Sequence, residues 1–391
     1  DNMYNTYFPS NNRIILDRRV LSPDYIPPEL PHREDEIRKL GENLSPALNG
    51  EPPMDMLLIG PTGTGKTAVA KNVQKRLIRM AEHINPRIRI FYVNCSKVNT
   101  KYRVISKLCE YLGLSLSPVG LPFDIIFSNF QKVISEKAVN CIVVLDEVDF
   151  LVRRGGGFLL YDLIRMNADL ENGAFVKLVC ASNHMRFLES LDPRILSSFN
   201  PEVLPFTAYR ATQLKTILEH RAKLGIAEGA LDPEVIPYIS AIVAQESGDA
   251  RKAIDLLRVS CELAERTGCK KVVKGHVDSA LESLELMKDK EIISALPKHH
   301  RLILYVICCY RISNPREATT GNIYRSYVDL CPKYGLEPLS FRRVSGVIRE
   351  LEMEGIIQCR MLYRGYRGNT KLVTFVSSLN KILRLLEKEF E

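Results

Sequence analysis

At 391 residues the chain is longer than one ordinary hydrophobic core organises, so two or three domains are expected. Its 46% apolar and 26% charged residues are the balance of a soluble globular protein and exclude a disordered or collagen-like chain. The net charge of +8 is modest but unevenly placed, because residues 355–386 hold six basic side chains and no acidic one. The ten cysteines are scattered and contain no Cys-x-x-Cys pair, which argues for reduced thiols rather than a zinc site or a disulfide framework. The longest apolar run, 302–310, is half a bilayer span, and no signal-peptide pattern opens the chain. A soluble, cytoplasmic protein with no membrane partner is expected.

Residues 1–12 are rich in Asn, Tyr and Ser without periodicity, and a flexible arm over 1–16 is expected. From 17 to 207, short β-branched runs at Met56–Ile59, 88–93, 141–145, 176–181 and 202–204 alternate with helical patterns. Such alternation predicts an α/β fold, a parallel sheet wrapped by helices. The first run leads into Gly60-Pro61-Thr62-Gly63-Thr64-Gly65-Lys66-Thr67, and Ala68 opens a helical stretch to residue 80. Strand, glycine loop and helix are the context of a phosphate-binding loop. Its N–H groups and the helix dipole favour a polyphosphate. ATP or ADP is the expected ligand; Lys66 is expected to neutralise the β and γ oxygens of ATP, and Thr67 to ligand Mg²⁺.

More than forty residues separate the second run from the third, where one crossover helix needs about 10 to 15. An inserted helix over 100–112 fills the excess, with Lys97, Lys101, Arg103 and Lys107 on its polar side. That side is either a DNA contact or a solvated basic face. The third run ends in Asp146-Glu147. Asp146 suits Mg²⁺, directly or through water, and Glu147 suits orienting or polarising the attacking water. Asp149, past the strand end, equally suits a helix cap. The fourth run delivers Ser182 and Asn183 to the same edge. A neutral amide there positions water without altering the charge balance, although Ser-Asn is also ordinary turn chemistry.

Residues 208–290 read as a small helical bundle, with apolar positions at Leu214, Ile217 and Leu218 and again at Ile254, Leu257 and Leu263. Residues 291–391 begin with helices and end in strands. Ser340 can cap a helix that places Phe341, Val344, Val347, Ile348 and Leu351 on one face. Arg342, Ser345 and Arg349 fall on the other, Arg343 flanks them, and Gly355 ends the helix. Two strand-like runs, 356–362 and 371–376, then flank Tyr363-Arg364-Gly365-Tyr366-Arg367-Gly368-Asn369-Thr370. A helix followed by a basic hairpin is the layout of a winged helix, whose helix enters the major groove. Arg342 and Arg343 can read guanine edges, while Arg364, Arg367 and Lys371, with Tyr366 between the two arginines, suit phosphates or the minor groove. The acid-free wing favours duplex DNA over protein docking.

With these motifs the chain resembles the AAA+ ATPases and, among them, the archaeal replication initiators related to the origin-recognition complex and the cell-division-control loader protein. The likeness covers almost the whole chain from about residue 20. Residues 20–34, from Val20 to His32-Arg33-Glu34, resemble the family's N-terminal segment, which lies against the adenine. His32 and Arg33 are read either as nucleotide contacts or as a solvated turn. Gly248-Asp249-Ala250-Arg251-Lys252-Ala253 resembles the second sensor. By resemblance Arg251 reaches from the lid to the phosphates; locally it can instead pair with Asp249 or Asp255. Leu191-Asp192-Pro193-Arg194 occupies the place of an arginine finger, a role that needs a neighbouring subunit, with a local ion pair as the alternative. Tyr209 and Arg221 match family positions that contact the nucleotide from the domain junction, and the inserted helix resembles the family's DNA-touching insertion. The resemblance implies an AAA+ domain, a helical lid and a C-terminal winged helix. It also implies a nucleoid-associated initiator that binds duplex DNA at replication origins, helps recruit or load the replicative helicase, hydrolyses ATP slowly as a switch and meets other initiator subunits. A clamp-loader-like subunit and a nucleotide-switched transcription regulator are the alternatives.

Overall fold

Five short apolar strands form the sheet that the alternation predicts: β1 (Met56–Ile59), β2 (Ile88–Asn94), β3 (Asn140–Asp146), β4 (Phe175–Ser182) and β5 (Glu202–Pro205). All pairings are parallel, in the order β2-β3-β4-β1-β5. The structure is a computed structural model that describes residues 13–114, 120–363, 369–375 and 379–390. Alternate residues of β1 serve opposite faces, as the pleat requires. Met56 and Leu58 pack with Val69, Val73 and Leu77 of α2 (Lys66–Ile84) and Leu40 of α1 (Glu34–Leu44). Leu57 and Ile59 join the other core, which is closed by α3 (Lys101–Tyr111), α4 (Phe123–Glu136), α5 (Val148–Arg153) and α6 (Phe158–Arg165). β3, covered on both faces, is buried at every position, which is why it reads as an unbroken apolar run.

The stretch between β2 and β3 holds two helices, as a crossover helix plus one inserted helix requires. Thr100 caps α3 by accepting from the Arg103 N–H, and Val104, Ile105, Leu108 and Cys109 anchor its apolar side. After α7 (Pro193–Ser198) and β5 come the lid helices α8 (Ala211–Gly225), α9 (Val235–Glu246) and α10 (Ala250–Arg266), and then α11 (Lys274–Ala295). The last residues of the expected arm are strapped to this lid. Glu265 accepts from the N–H groups of Ile14 and Ile15 at 2.9 Å, and Ile15 bridges to Ile226. Residues 1–12 lie outside the described residues.

The chain folds as two compact units, Asp1–Asp278 and Ser279–Glu391. The second contains α12 (Lys298–Ser313), α13 (Thr320–Leu330), α14 (Phe341–Met353), the antiparallel pair β6 (Ile357–Tyr363) and β7 (Asn369–Phe375), and α15 (Leu379–Phe390). Ser340 caps α14 through the Arg343 N–H, and Gly355, at φ 73°, follows its last turn in the left-handed conformation that favours glycine. The ten cysteines are free. Among the described residues no helix is long and apolar enough to cross a membrane.

Candidate nucleotide site and nucleic-acid interface

The glycine loop joins β1 to α2 with Gly63 and Gly65 at φ 72° and 95°. It is held from outside as well as by its own turn. A Cβ on Gly60 would fall 2.2 Å from the Phe206 carbonyl oxygen, and one on Gly63 would collide with the Asp249 carboxylate. Asp249 caps α10 by accepting from the Arg251 and Lys252 N–H groups, and the Ala250 N–H donates to the Gly63 carbonyl at 3.2 Å. The lid therefore rests directly on the phosphate loop. Thr64 donates its hydroxyl to the Pro61 carbonyl at 2.8 Å.

Lys66 is buried, and its ammonium donates to the carbonyls of Gly60 at 2.8 Å and Pro61 at 2.7 Å. Burial pushes its pKa down to about 8; Asp146 opposes that fall and Arg251 adds to it. A buried cation bonded only to neutral oxygens is a site arranged for an anion.

Three donors hold the Asp146 carboxylate. Thr67 Oγ1 and the Tyr92 hydroxyl donate to Oδ2 at 2.7 and 2.6 Å, and the Glu147 N–H donates to Oδ1 at 3.0 Å. Burial, then the Asp146 charge, pushes the Tyr92 phenol far up, so it keeps its proton. Glu147 adopts φ 53°, an uncommon conformation for a non-glycine residue and one that concentrates at functional sites. Asp149 accepts from Ser182 Oγ at 3.1 Å, which ties α5 to the end of β4 beside Asn183. Tyr92 was not singled out by sequence. Its signal, a tyrosine near the carboxyl end of a strand, acquires meaning only once β2 pairs with β3.

A cleft of about 460 Å³ gathers these groups. Thr62, Gly63, Gly65, Lys66, Thr67, Ala68, Asp146, Glu147, Asn183, Tyr209, Arg221 and Arg251 line it, as do Tyr92 and Lys71. Gly60, Pro61 and Thr64 of the loop do not line it. Arg251 brings a guanidinium from the lid, and the local carboxylates are occupied, Asp255 by Arg258 at 2.8 Å and Asp249 by the helix cap. Arg221 is buried and donates to the carbonyls of Val20 and Tyr25, both at 2.7 Å; burial pushes its pKa down to about 10. It thus fastens the N-terminal segment to the lid. Val20 is buried beneath that segment and does not line the cleft, whereas Pro23, Tyr25 and Ile26 do.

Arg33 is neither a solvated residue nor a lining one. It is buried, lies 4.0 Å from the Tyr209 ring centroid, and donates to the carbonyls of Thr64 and Thr207 at 2.8 Å. Arg194 lies outside the cleft of its own chain. Its guanidinium pairs with Asp192 at 2.9 and 3.0 Å and covers the Phe158 ring.

On the second unit, Arg342 and Arg349 are exposed along α14. Arg343 is exposed but tied to Glu350 at 2.7 Å, and Glu350 also bonds His300. Phe341, expected on the apolar face, is 49% exposed and meets Tyr324 edge-on. Lys371 is half-buried on β7, while Arg364, Tyr366 and Arg367 lie outside the described residues. On α3, Lys101 and Arg103 are exposed, with the Lys101 ammonium over the Phe123 ring at 4.3 Å.

The sheet order, the glycine loop after β1, the carboxylates ending β3 and the lid resting on the loop define an AAA+ ATPase, a nucleotide-binding domain, with a winged helix later in the chain. Residues 54–188 match the AAA domain, 215–282 the Cdc6 AAA+ ATPase-type lid domain and 291–384 the CDC6 C-terminal winged helix domain. The chain is 40% identical over 375 residues to the ORC1-type DNA replication protein of Thermococcus onnurineus, covering 95% of this chain and 90% of that one. It is 43% identical over 364 residues to ORC1-type DNA replication protein 1 of Aeropyrum pernix, covering 93% and 92%. The solved structure of the Aeropyrum pernix ORC1 protein in complex with DNA matches with a TM-score of 0.85 at 42% identity, over 96% of this chain and 98% of that one. The Drosophila ORC bound to DNA shares the fold at 22% identity and a TM-score of 0.61, over 94% and 90%. The chain belongs to the ORC1-type DNA replication proteins, initiators of replication.

Proposed function

We propose that this chain binds ATP with Mg²⁺ in the cleft between sheet and lid and holds duplex DNA at a replication origin. Slow hydrolysis changes that hold, and the replicative helicase is recruited or loaded there. The observation that carries the nucleotide reading is Lys66, a buried ammonium bonded to two carbonyls. It lies in one cleft with Asp146, Thr67 and the lid's Arg251. These residues fit a nucleoside triphosphate and its cation. Bound Mg²⁺ supplies charge neutralisation at the phosphates. Thr67 keeps oxygen lone pairs for the cation while donating its proton to Asp146. Glu147 orients or polarises water, Asn183 positions it, and Arg251 makes lid placement depend on the phosphates present.

DNA binding is supported by the basic face of α14, by the acid-free stretch 355–386, and by the relative solved with DNA. Lys101 and Arg103 on α3 offer a second basic surface. The relatives' names favour replication over the clamp-loader and transcription-regulator alternatives. Binding to an origin-derived and a scrambled duplex over a salt series, with ATP and with ADP, tests the reading. Arg367→Ala is expected to weaken both duplexes and flatten the salt slope by about one phosphate contact. Arg342→Ala is expected to narrow the gap between them by about 1–3 kcal/mol. Unchanged slopes together with equal affinity for both duplexes would remove the winged helix from the interface.

The Lys66 pKa gives a pH dependence with a definite sign. The free ammonium loses its proton around pH 8, and a bound polyphosphate raises its pKa. Binding therefore takes up a proton near pH 8, and affinity is expected to fall as pH rises through that value, with little change below pH 7 from this group. Calorimetry in buffers of different ionisation enthalpy reads the uptake directly; none at pH 8 would contradict the assignment.

A further inference from the structure

The nucleotide reading gives no role to Tyr92, a donor in the cleft whose partner is the carboxylate of Asp146. Tyr92 sits near the carboxyl end of β2, and its hydroxyl donates to Asp146 Oδ2 at 2.6 Å, the oxygen that also accepts from Thr67. The other two donors to this carboxylate are the phosphate loop's own threonine and the adjoining Glu147 N–H; Tyr92 is the donor from the neighbouring strand. Its position is fixed on three sides. Lys71 of α2 places its ammonium 4.6 Å from the ring centroid. Tyr111 of α3 donates to the Tyr92 carbonyl at 3.0 Å and stacks on Phe91 with centroids 5.2 Å apart. Ring, hydroxyl and main chain are thus each held, as an orienting group must be if it is to fix another side chain.

We propose that Tyr92 is a positioning residue for the metal: its hydroxyl holds Asp146 in the orientation in which that carboxylate and Thr67 take Mg²⁺ together with the nucleotide. The inference rests on the nucleotide reading. Ligating carboxylates depend on such outer partners for orientation, and losing one typically costs about 10–100-fold in metal affinity or activity. Tyr92→Phe deletes the hydroxyl and keeps the ring beneath Lys71.

The test is the affinity of the full chain for a fluorescent ATP analogue, from EDTA through millimolar Mg²⁺. Tyr92→Phe is expected to match the parent in EDTA within about twofold and to need about tenfold more Mg²⁺ to reach its tight-binding limit. Tyr111→Phe, which frees the Tyr92 carbonyl but leaves the hydroxyl on Asp146, is expected to keep the parent's Mg²⁺ midpoint. An unshifted midpoint in Tyr92→Phe, or an equal shift in Tyr111→Phe, overturns the role given to the hydroxyl and leaves the nucleotide reading standing. A parent that fails to bind the analogue, or binds it indifferently to Mg²⁺, overturns both.

Discussion

Lys66→Ala is expected to weaken nucleotide binding by at least about a hundredfold while the apo protein remains folded. The ammonium is buried against two neutral carbonyls, and that burial is what pulls its pKa to about 8. Each charge-assisted bond it makes to a phosphate oxygen is worth about 1.5–3 kcal/mol, and two of them account for the expected factor. Its burial in the free protein disfavours the charged form, so removing it relieves a desolvation cost. The melting temperature without nucleotide should therefore hold steady, and the rise produced by ATP in the parent should vanish. A variant that still gains stability from ATP would show that the polyphosphate lies elsewhere.

Glu147→Gln is expected to separate binding from turnover. Glutamine has nearly the same shape and can occupy the left-handed φ of 53° as glutamate does, so the chain reversal after β3 survives. The Asp146, Thr67 and Tyr92 contacts do not involve the Glu147 side chain, and affinity for ATP should stay within about threefold. An amide cannot accept a proton from water, and loss of a positioned base costs about 10²–10⁴ in rate. Single-turnover hydrolysis measured beside equilibrium binding reads both quantities. Parent-like turnover in Glu147→Gln would remove the side chain from its assigned place.

Much of the first unit was legible because buried parallel strands leave continuous apolar runs. β1 and β3 fall within a residue of their expected limits, and the glycine loop declares itself through its spacing together with the strand before it and the helix after it. Contacts across elements were not legible. Tyr92 matters because β2 lies beside β3, and Arg33 is buried because Tyr209, Thr64 and Thr207 converge on it from three separate segments. Arg221 matches a nucleotide-contacting position and lines the cleft, but its bonds to the carbonyls of Val20 and Tyr25, about two hundred residues away, could not be read from sequence. Helical spacing put Phe341 on the apolar stripe, but it lies in the first turn of α14, past the edge of the core, and is left half in solvent. The surplus between β2 and β3 announces an inserted helix beside the crossover helix, and α3 and α4 are those two.

The seating of Asp249 on Gly63 also sets when the site comes into being during synthesis of the chain. The two residues are roughly 190 positions apart, and at about 5–20 residues per second the loop leaves the ribosome some 10 to 40 seconds before its cap exists. Through that interval the glycine loop lacks its Asp249 cap, for most of it Arg221 has not yet been made to receive Val20 and Tyr25, and the cleft is an open shelf. A nascent chain stalled before α10 therefore carries every residue of the phosphate loop and both carboxylates of β3, yet not the enclosed site, which appears only when the lid arrives to close it.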